Sequence, residues 1–268
     1  MHDSEKIGLI AGSGKLPFIL ASSIKNSGEY VVGLGIKGES ASSLKKYVDT
    51  FHFFDVTDLE QLKRIIKEEK IKKIIMAGKV HKDILFKAAR SDDTASGILS
   101  NLNNKGDYHI LKAFSHDLEK EGIHFIEPSF FLGHLIPIAG VLTDRCPLAH
   151  EREDIDFGFS IAKKIAELDI GQTVVIKDRI VLAVEGVEGT DETIRRGGKI
   201  GRLGVVVKVS KPHQDLRFDM PVIGEDTVKT AKNVGITCIA VEAHKIIIID
   251  KEEVIKKADK YNISIVAV

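Results

Sequence analysis

Short apolar runs alternate with amphipathic helical patterns along the first half of this 268-residue chain. Lys6–Ala11, Tyr30–Ile36 and Lys73–Ala77 are short and rich in β-branched or small apolar residues, which is typical of buried strands. Residues 17–26 have helical periodicity, with a proline in the first turn. Strands that alternate with helices favour a parallel sheet covered on both faces. We therefore expect an α/β chain that begins with a Rossmann-like parallel-sheet domain over residues 1–134.

The second half continues the alternation and adds a hairpin. Residues 153–168 place their apolar side chains on one helical face. Two strand patterns then flank Lys177-Asp178-Arg179, and this arrangement predicts a β-hairpin. Around residues 133–144 the pattern loosens, so we place the domain boundary there and expect a mixed α/β C-terminal domain over residues 135–268. Its further predicted strands are 204–209, 237–241, 245–249 and 263–268, and its further predicted helices are 226–233 and 251–260.

Charge and cysteine content exclude several classes of protein. Lys and Arg number 39 and Asp and Glu number 39, so no overall field favours nucleic acid. An anionic ligand must therefore be held by a local site. Cys146 and Cys238 are far apart and lack the spacing of a zinc site or a disulfide framework. No apolar stretch spans a bilayer and the first residues form no signal peptide, so we expect a soluble, cytoplasmic protein.

We expect the chemistry in the segment 211–224 (KPHQDLRFDMPVIG). Asp215, Arg217 and Asp219 alternate with apolar residues, so in an extended conformation their side chains would share one face. Two carboxylates fixed among cations are what metal-assisted chemistry on a phosphate needs. An edge strand with a solvated face is the structural alternative. Like charges two residues apart favour the functional interpretation, because they require compensation by cations or a metal.

A loop rich in carboxylates, residues 185–191 (EGVEGTD), precedes a predicted helix. Oxygen ligands of this kind suit a magnesium ion that is shared with substrate phosphates. Thr190 or Asp191 alone could instead cap the helix, but capping would not account for Glu185 and Glu188. The loop is therefore a candidate metal site.

Two further turns precede predicted helices, where an anion can be bound. Gly12-Ser13-Gly14 follows the first strand, and residues 224–227 (GEDT) follow the charged segment. The first turn has two alternatives. It is either a tight turn that needs flexible glycines, or part of a dinucleotide fingerprint in which Pro17 replaces the third glycine. The second alternative would make the protein a Rossmann-like nucleotide-sugar oxidoreductase or binding protein.

These segments together resemble the UDP-2,3-diacylglucosamine pyrophosphatases of the LpxI type, which act in lipid A biosynthesis. The resemblance implies two domains with the substrate held between them, and magnesium-dependent hydrolysis of a diphosphate to UMP and lipid X. Water would attack the phosphorus nearer the sugar. An essential aspartate of the C-terminal domain maps onto Asp219 more readily than onto Asp215. The resemblance covers essentially the whole chain and rests on residues 8–17 (GLIAGSGKLP), 168–172 (LDIGQ), 183–191 (AVEGVEGTD) and 211–224.

The residues and the resemblance together give a set of hypothetical roles. Carboxylates would hold Mg²⁺ or orient the attacking water, and cations would counter the phosphate charge. The expected partner is the UDP-diacylated glucosamine lipid, with transient contact with the inner membrane surface, and we expect a homodimer. The candidate catalytic residues are Asp219, Asp215, Lys211, Arg217 and Lys208; the candidate substrate-binding residues are Gly12, Gly14, Lys15, Thr190, Gln214, Gly224 and Thr227; and the candidate metal ligands are Glu188, Asp191, Asp215 and Asp219.

Overall fold

The computed structural model describes residues 5–80, 115–212, 215–218 and 220–268. These residues form two compact units. The first contains the residues up to Leu132 together with residues 215–218, and the second begins at Gly133. The domain ranges 1–134 and 135–268 stay a prediction. No helix within the described ranges combines the length and the apolar composition needed to cross a bilayer.

A parallel sheet forms the centre of the first unit. Its strands are β1 (Lys6–Ala11), β2 (Tyr30–Ile36), β3 (Thr50–Phe54), β4 (Lys73–Ala77) and β5 (His124–Phe125), and its helices include α1 (Leu16–Asn26), α2 (Leu59–Glu69) and α3 (Ser129–Leu132). All neighbouring strands are parallel, in the order β3-β2-β1-β4-β5. The order reverses beside β1, as it does in Rossmann-like sheets. The predicted class of this half is confirmed.

The second unit is built around a mixed sheet. Its strands are β6 (Gly140–Val141), β7 (Thr173–Lys177), β8 (Ile180–Val184), β9 (Val205–Lys208), β10 (Val222–Ile223), β11 (Cys238–Val241), β12 (Ile247–Ile248) and β13 (Ser264–Ala267), and its helices are α4 (Ala149–Glu167), α5 (Thr190–Ile200), α6 (Glu225–Val234) and α7 (Lys251–Lys260). Six strands follow the order β6-β13-β11-β9-β7-β8. Within that sheet β9, β11 and β13 are parallel, whereas β6, β7 and β8 run antiparallel to their neighbours. The predicted mixed α/β class is confirmed.

The six-stranded sheet is buried on both faces, because each strand sends alternate residues to opposite sides. In β9, Val205 and Val207 belong to an apolar core that includes Ile155 of α4. Val206 belongs to a second core that includes Ile194 of α5. These five side chains are at most 3% exposed. Two apolar cores therefore share one sheet.

The β7–β8 hairpin turns through Asp178 and Arg179. Both residues have positive φ, 52° and 58°, which is the conformation of a two-residue type I′ turn. Their backbone amides donate to the two carboxylate oxygens of Asp154, at 3.0 and 2.6 Å. Asp154 lies in α4 and is only 2% exposed. This carboxylate therefore anchors the predicted hairpin to α4.

Replacing Asp154 by alanine removes the acceptor for both turn amides. An unsatisfied donor costs about 1–3 kcal/mol, so we expect Asp154→Ala to lower the free energy of unfolding by about that amount. Urea denaturation of the purified protein measures the change. Asp156→Ala, at an exposed position of the same helix, is the matched control and should stay within about 0.5 kcal/mol of wild type. Equal losses in the two variants would contradict the anchoring role.

A second buried carboxylate of α4, Glu151, is 1% exposed. Arg145 Nη2 donates to both of its oxygens at 2.9 Å, and Thr237 Oγ1 donates at 2.6 Å. The backbone amide of Leu148 donates at 2.8 Å. Burial by itself would raise the pKa of Glu151, but the hydrogen bonds from Arg145, Thr237 and Leu148 outweigh it and lower the pKa from the ordinary value of 4.5. Glu151 is therefore ionised in the folded protein.

The Glu151 pKa also predicts a pH dependence of stability. Because folding lowers this pKa, the ionised carboxylate stabilises the fold fully above the unfolded value of 4.5, and this stabilisation is lost as the pH falls through the folded-state pKa. We expect Glu151→Gln to be less stable than wild type at neutral pH. Below about pH 5, its free energy of unfolding should fall less steeply than that of wild type. Chemical denaturation over a pH series measures both slopes, and parallel curves would contradict this prediction.

Candidate active site

The carboxyl end of β9 carries a buried lysine within a polar cluster of the second unit. Lys208 is 6% exposed, and its Nζ donates to Thr190 Oγ1 at 2.5 Å. Thr190 is the first residue of α5, and its hydroxyl lies 3.4 Å from that of Thr173. Antiparallel pairing of β7 with β9 places Thr173 opposite Lys208. The structure thus brings together Lys208 and Thr190, which the sequence suggested from separate motifs.

The position of Lys208 suits an anion. Ligands of open α/β sheets bind beyond the carboxyl ends of parallel strands, and β9 ends here beside β11. The first turn of α5 begins at Thr190, where backbone amides favour negative charge. Glu242, directly after β11, is already satisfied by the Ser210 amide at 2.8 Å and by Lys163 Nζ at 3.0 Å. A phosphate oxygen is therefore a chemically suitable ligand for this edge of the sheet.

The two candidate metal ligands of α5 and its preceding loop have protein partners. Glu188 is exposed and accepts hydrogen bonds from Arg196 Nη2 at 2.7 Å and from Thr193 Oγ1 at 3.3 Å. A hydrogen bond from its own backbone amide, and then the Arg196 guanidinium, lower the pKa of Glu188. Asp191 Oδ1 accepts a hydrogen bond from Thr227 Oγ1 at 3.2 Å. Asp191 and Thr227 therefore lie together, at the starts of α5 and α6.

Residues 215–218 form a turn, so the predicted extended conformation of this stretch is wrong. The Phe218 amide donates to the Asp215 carbonyl at 3.1 Å, and the Arg217 amide donates to Asp215 Oδ1 at 3.2 Å. The side chain of an aspartate can bond to backbone two residues on, and this local bonding competes with a strand. Alternation of apolar and charged residues does not reveal such a turn.

The turn holds its charges together within the first unit. Arg217 donates to both carboxylate oxygens of Asp215, at 2.8 and 2.6 Å, and to Glu119 Oε1 at 2.7 Å. Asp215 first, and then Glu119, raise the pKa of Arg217. A cation that compensates Asp215 is therefore its neighbour two residues away, Arg217. Asp219 and Gln214 lie outside the described residues, and their roles stay predictions.

The remaining candidate site residues of the second unit are Lys211, Gly224 and Thr227. Lys211 Nζ forms an ion pair with Asp169 Oδ1 at 2.5 Å. Gly224 is the residue before α6, and its carbonyl accepts a hydrogen bond from the Thr227 amide at 3.1 Å. The start of α6 therefore contains Gly224 and Thr227 in the helix-initiating arrangement that the sequence predicted.

The glycine turn after β1 is explained by packing inside the first unit. Ser13 and Lys79 exchange two backbone hydrogen bonds, at 2.8 and 2.9 Å. A Cβ on Gly12 would lie 2.3 Å from the Lys79 carbonyl oxygen. Gly14 has φ +98°, which also favours glycine, and Lys15 precedes α1. The tight-turn alternative therefore accounts for Gly12 without a dinucleotide. The substrate-binding roles of Gly12, Gly14 and Lys15 stay predictions.

Three residues beside Lys208 were absent from the predicted site. Glu185 Oε1 accepts a hydrogen bond from Thr190 Oγ1 at 2.9 Å, and Glu185 Oε2 accepts one from the Gln172 amide at 3.2 Å. Thr173 joins them through its contact with Thr190. The sequence signals were the position of Glu185 in the carboxylate-rich loop and that of Gln172 in the motif 168–172. The other contacts depend on strand register, which a pattern of apolar residues does not give.

Comparisons with known proteins extend over nearly the whole chain. A family model described as the LpxI N-terminal domain matches residues 6–135, and one described as the LpxI C-terminal domain matches residues 138–266. The UDP-2,3-diacylglucosamine pyrophosphatase LpxI of Caulobacter vibrioides is 31% identical over 275 residues, which are 98% of this chain and 97% of that protein.

The similarity of this chain to solved structures is low. A UDP-glucose-4-epimerase from Stenotrophomonas maltophila with bound NAD is 14% identical, with 44% of this chain and 34% of that chain covered and a TM-score of 0.30. A Rhizobium etli pyruvate carboxylase is 12% identical, with 75% of this chain and 18% of that chain covered and a TM-score of 0.30. Neither TM-score is high enough to bear on fold or function.

Proposed function

Because this chain belongs to the LpxI family over both of its halves, we propose that it is a UDP-2,3-diacylglucosamine pyrophosphatase of lipid A biosynthesis. It hydrolyses the diphosphate of UDP-2,3-diacylglucosamine to UMP and 2,3-diacylglucosamine 1-phosphate. The observation that carries the proposal is 31% identity to an LpxI pyrophosphatase spread over 98% of the chain. The oxidoreductase alternative is not favoured, since packing against Lys79 accounts for Gly12.

Diphosphate hydrolysis demands little covalent chemistry of a protein, so positioning and electrostatics dominate. In our proposal Lys208 contacts phosphate oxygens, because a buried ammonium in a site of low dielectric stabilises developing negative charge strongly. Thr190 and Thr227, at the starts of α5 and α6, contribute hydroxyl groups. Lys211 and Arg217 keep a supporting role in countering phosphate charge, although in this structure they pair with carboxylates.

Magnesium is part of the proposal. Within the described ranges, no three His, Cys, Asp or Glu side chains are grouped so as to hold a metal ion. Mg²⁺ commonly needs fewer, because substrate phosphates and waters complete its coordination around one or two carboxylates. When bound, the ion supplies neutralisation of the phosphate charge. The candidate ligands are Glu188, Asp191, Asp215 and Asp219, of which Glu188 has a lowered pKa and so is ionised at neutral pH.

We further propose that the protein works at the cytoplasmic face of the inner membrane, with a peripheral contact, and that it forms a homodimer. The support for membrane contact is chemical, since two acyl chains hold the substrate in a bilayer. The support for a dimer is β8, an edge strand of the six-stranded sheet whose Ile180 is 62% exposed. Unpaired strand edges are surfaces that a second copy of a chain can cover.

The activity predicts release of UMP. Purified protein incubated with UDP-2,3-diacylglucosamine and Mg²⁺ should release UMP and 2,3-diacylglucosamine 1-phosphate in equal amounts, and chromatography measures both products. EDTA should stop the release, and added Mg²⁺ should restore it. No UMP from the folded protein would reject the function. Release that continues in EDTA would reject only the role of magnesium.

Asp219 should be required for the reaction and dispensable for folding. We expect Asp219→Ala to lower turnover by about two to four orders of magnitude, the usual contribution of a positioned acid or base. Thermal unfolding and substrate binding by calorimetry should remain close to wild type. Asp156→Ala, on the exposed face of α4, is the control. A variant that retains more than about a tenth of wild-type turnover would remove Asp219 from the chemistry.

A further inference from the structure

Glu185 is held by main-chain contacts on the side of β7. Its amide donates to the Thr173 carbonyl at 2.8 Å, and its Oε2 accepts from the Gln172 amide at 3.2 Å. A Cβ on Gly171 would lie 2.1 Å from the Glu185 carbonyl oxygen, so the residues before β7 pack directly against the Glu185 backbone. The carboxylate therefore has a defined position at the carboxyl edge of the sheet.

Thr190 connects this carboxylate to Lys208. An ionised carboxylate has no hydrogen to donate, so the Thr190 hydroxyl donates its single hydrogen to Glu185 Oε1, at 2.9 Å. The hydroxyl oxygen then accepts from Lys208 Nζ, at 2.5 Å. Carboxylate, hydroxyl and ammonium thus form a directed chain of hydrogen bonds. The groups at its two ends carry opposite charges, and such a chain is polarised in one direction.

The same edge of the sheet contains a buried acceptor that the protein does not satisfy. No described group donates to the buried amide oxygen of Gln172, Oε1. The Val209 amide donates to the Gln172 carbonyl at 2.9 Å, so the Gln172 backbone lies next to Val209, one position along from the paired residues Thr173 and Lys208. An acceptor buried without a donor costs about 1–3 kcal/mol, and natural proteins retain few of them. This oxygen therefore needs a donor such as a water molecule.

We propose that Glu185 is a positioning residue: through Thr190, its charge favours the ammonium form of the buried Lys208 and aims that ammonium at the diphosphate. The inference rests on the proposed function, in which Lys208 contacts phosphate oxygens. Removal from water disfavours an ammonium ion, and a carboxylate one hydroxyl away offsets that cost. A carboxylate with a merely structural role would change the stability of the protein but not the pH dependence of its turnover.

Kinetics of substituted enzymes test the proposal. Glu185→Gln keeps an acceptor for Thr190 but removes the charge, whereas Glu185→Ala removes both. We expect kcat of Glu185→Ala to fall by about 10²-fold, with a smaller change in KM. In Glu185→Gln, the alkaline limb of the kcat profile should move to lower pH, because the substitution removes a negative charge that favours the ammonium form of Lys208.

A double variant shows whether Glu185 acts through Lys208. If it does, Glu185→Ala combined with Lys208→Ala should be no slower than Lys208→Ala alone. Glu192→Gln is the control, because Glu192 lies on the exposed side of α5 and pairs with Arg195. The control should retain wild-type kcat and pH profile. Additive losses in the double variant, or lower stability with unchanged kcat and pH profile, would overturn the proposal.

A measurement without substrate separates this inference from the proposed function. In protein labelled with ¹⁵N-lysine, the Nζ resonance of Lys208 is assigned by its absence from Lys208→Ala. Its titration midpoint should lie at lower pH in Glu185→Gln than in wild type, and at the wild-type value in Glu192→Gln. If wild-type protein releases no UMP, the proposed function fails. The titration then tests by itself whether Glu185 favours the ammonium form of Lys208. An unchanged midpoint in Glu185→Gln overturns the inference.

Discussion

Burial of the second sheet on both faces is the constraint on which the rest of that unit depends. Because two apolar cores share the sheet, the interiors of β7, β9 and β11 have no room for polar side chains. Polar groups are therefore concentrated where these strands begin and end. Lys208 lies at the end of β9, and Glu242 lies directly after β11. The candidate site is thus a consequence of packing as much as of any single motif.

Polar side chains at the edges of this unit's sheet fall into two groups with different chemistry. Glu151 and Asp154 are satisfied by donors from neighbouring segments, and their hydrogen bonds join α4 to other segments of the unit. Lys208, Thr190 and Glu185 instead form a chain of hydrogen bonds at the carboxyl edge of the sheet. The first group stabilises the fold. The second group lies beyond the carboxyl ends of parallel strands, where open α/β sheets bind their ligands.

The sequence was a good guide to the fold, because hydrophobic periodicity reports local structure directly. Alternating strands and helices predicted the parallel first sheet, and the residues around Asp178 predicted the hairpin. The candidate site was harder to predict. The three carboxylates of the loop suggested a metal site and only Glu188 and Asp191 were chosen as candidate ligands, whereas Glu185 accepts the hydrogen bond from Thr190. That contact lies within one loop, and it depends on side-chain conformations that a pattern of apolar and charged residues does not specify.

The segment from 211 to 224 shows the limit of periodicity as a guide. Charges on alternate positions fit a strand, but Asp215 bonds to the backbone and side chain of Arg217 and forms a turn. An aspartate side chain that accepts a hydrogen bond from nearby backbone offers the chain an alternative to strand pairing. Whether it does so depends on the rotamer of that aspartate, which the composition of the segment does not give. Residues 215–218 are therefore a turn, whereas alternation of charged and apolar residues predicted an extended conformation.

The composition of β9 has a consequence for how the chain aligns during folding. Its interior is three identical valines, so hydrophobicity alone cannot distinguish one alignment with β7 and β11 from the next. Gly204 and Lys208, at the two ends of the strand, distinguish the correct register from the others. A register shift by one residue would move Lys208 to the position of Val207, which lies in an apolar core. The same shift would move Val205 to the position of Gly204, where a Cβ would lie only 2.9 Å from the Ile176 carbonyl oxygen. Lys208, which we propose to contact phosphate, therefore also helps to specify the register of β9.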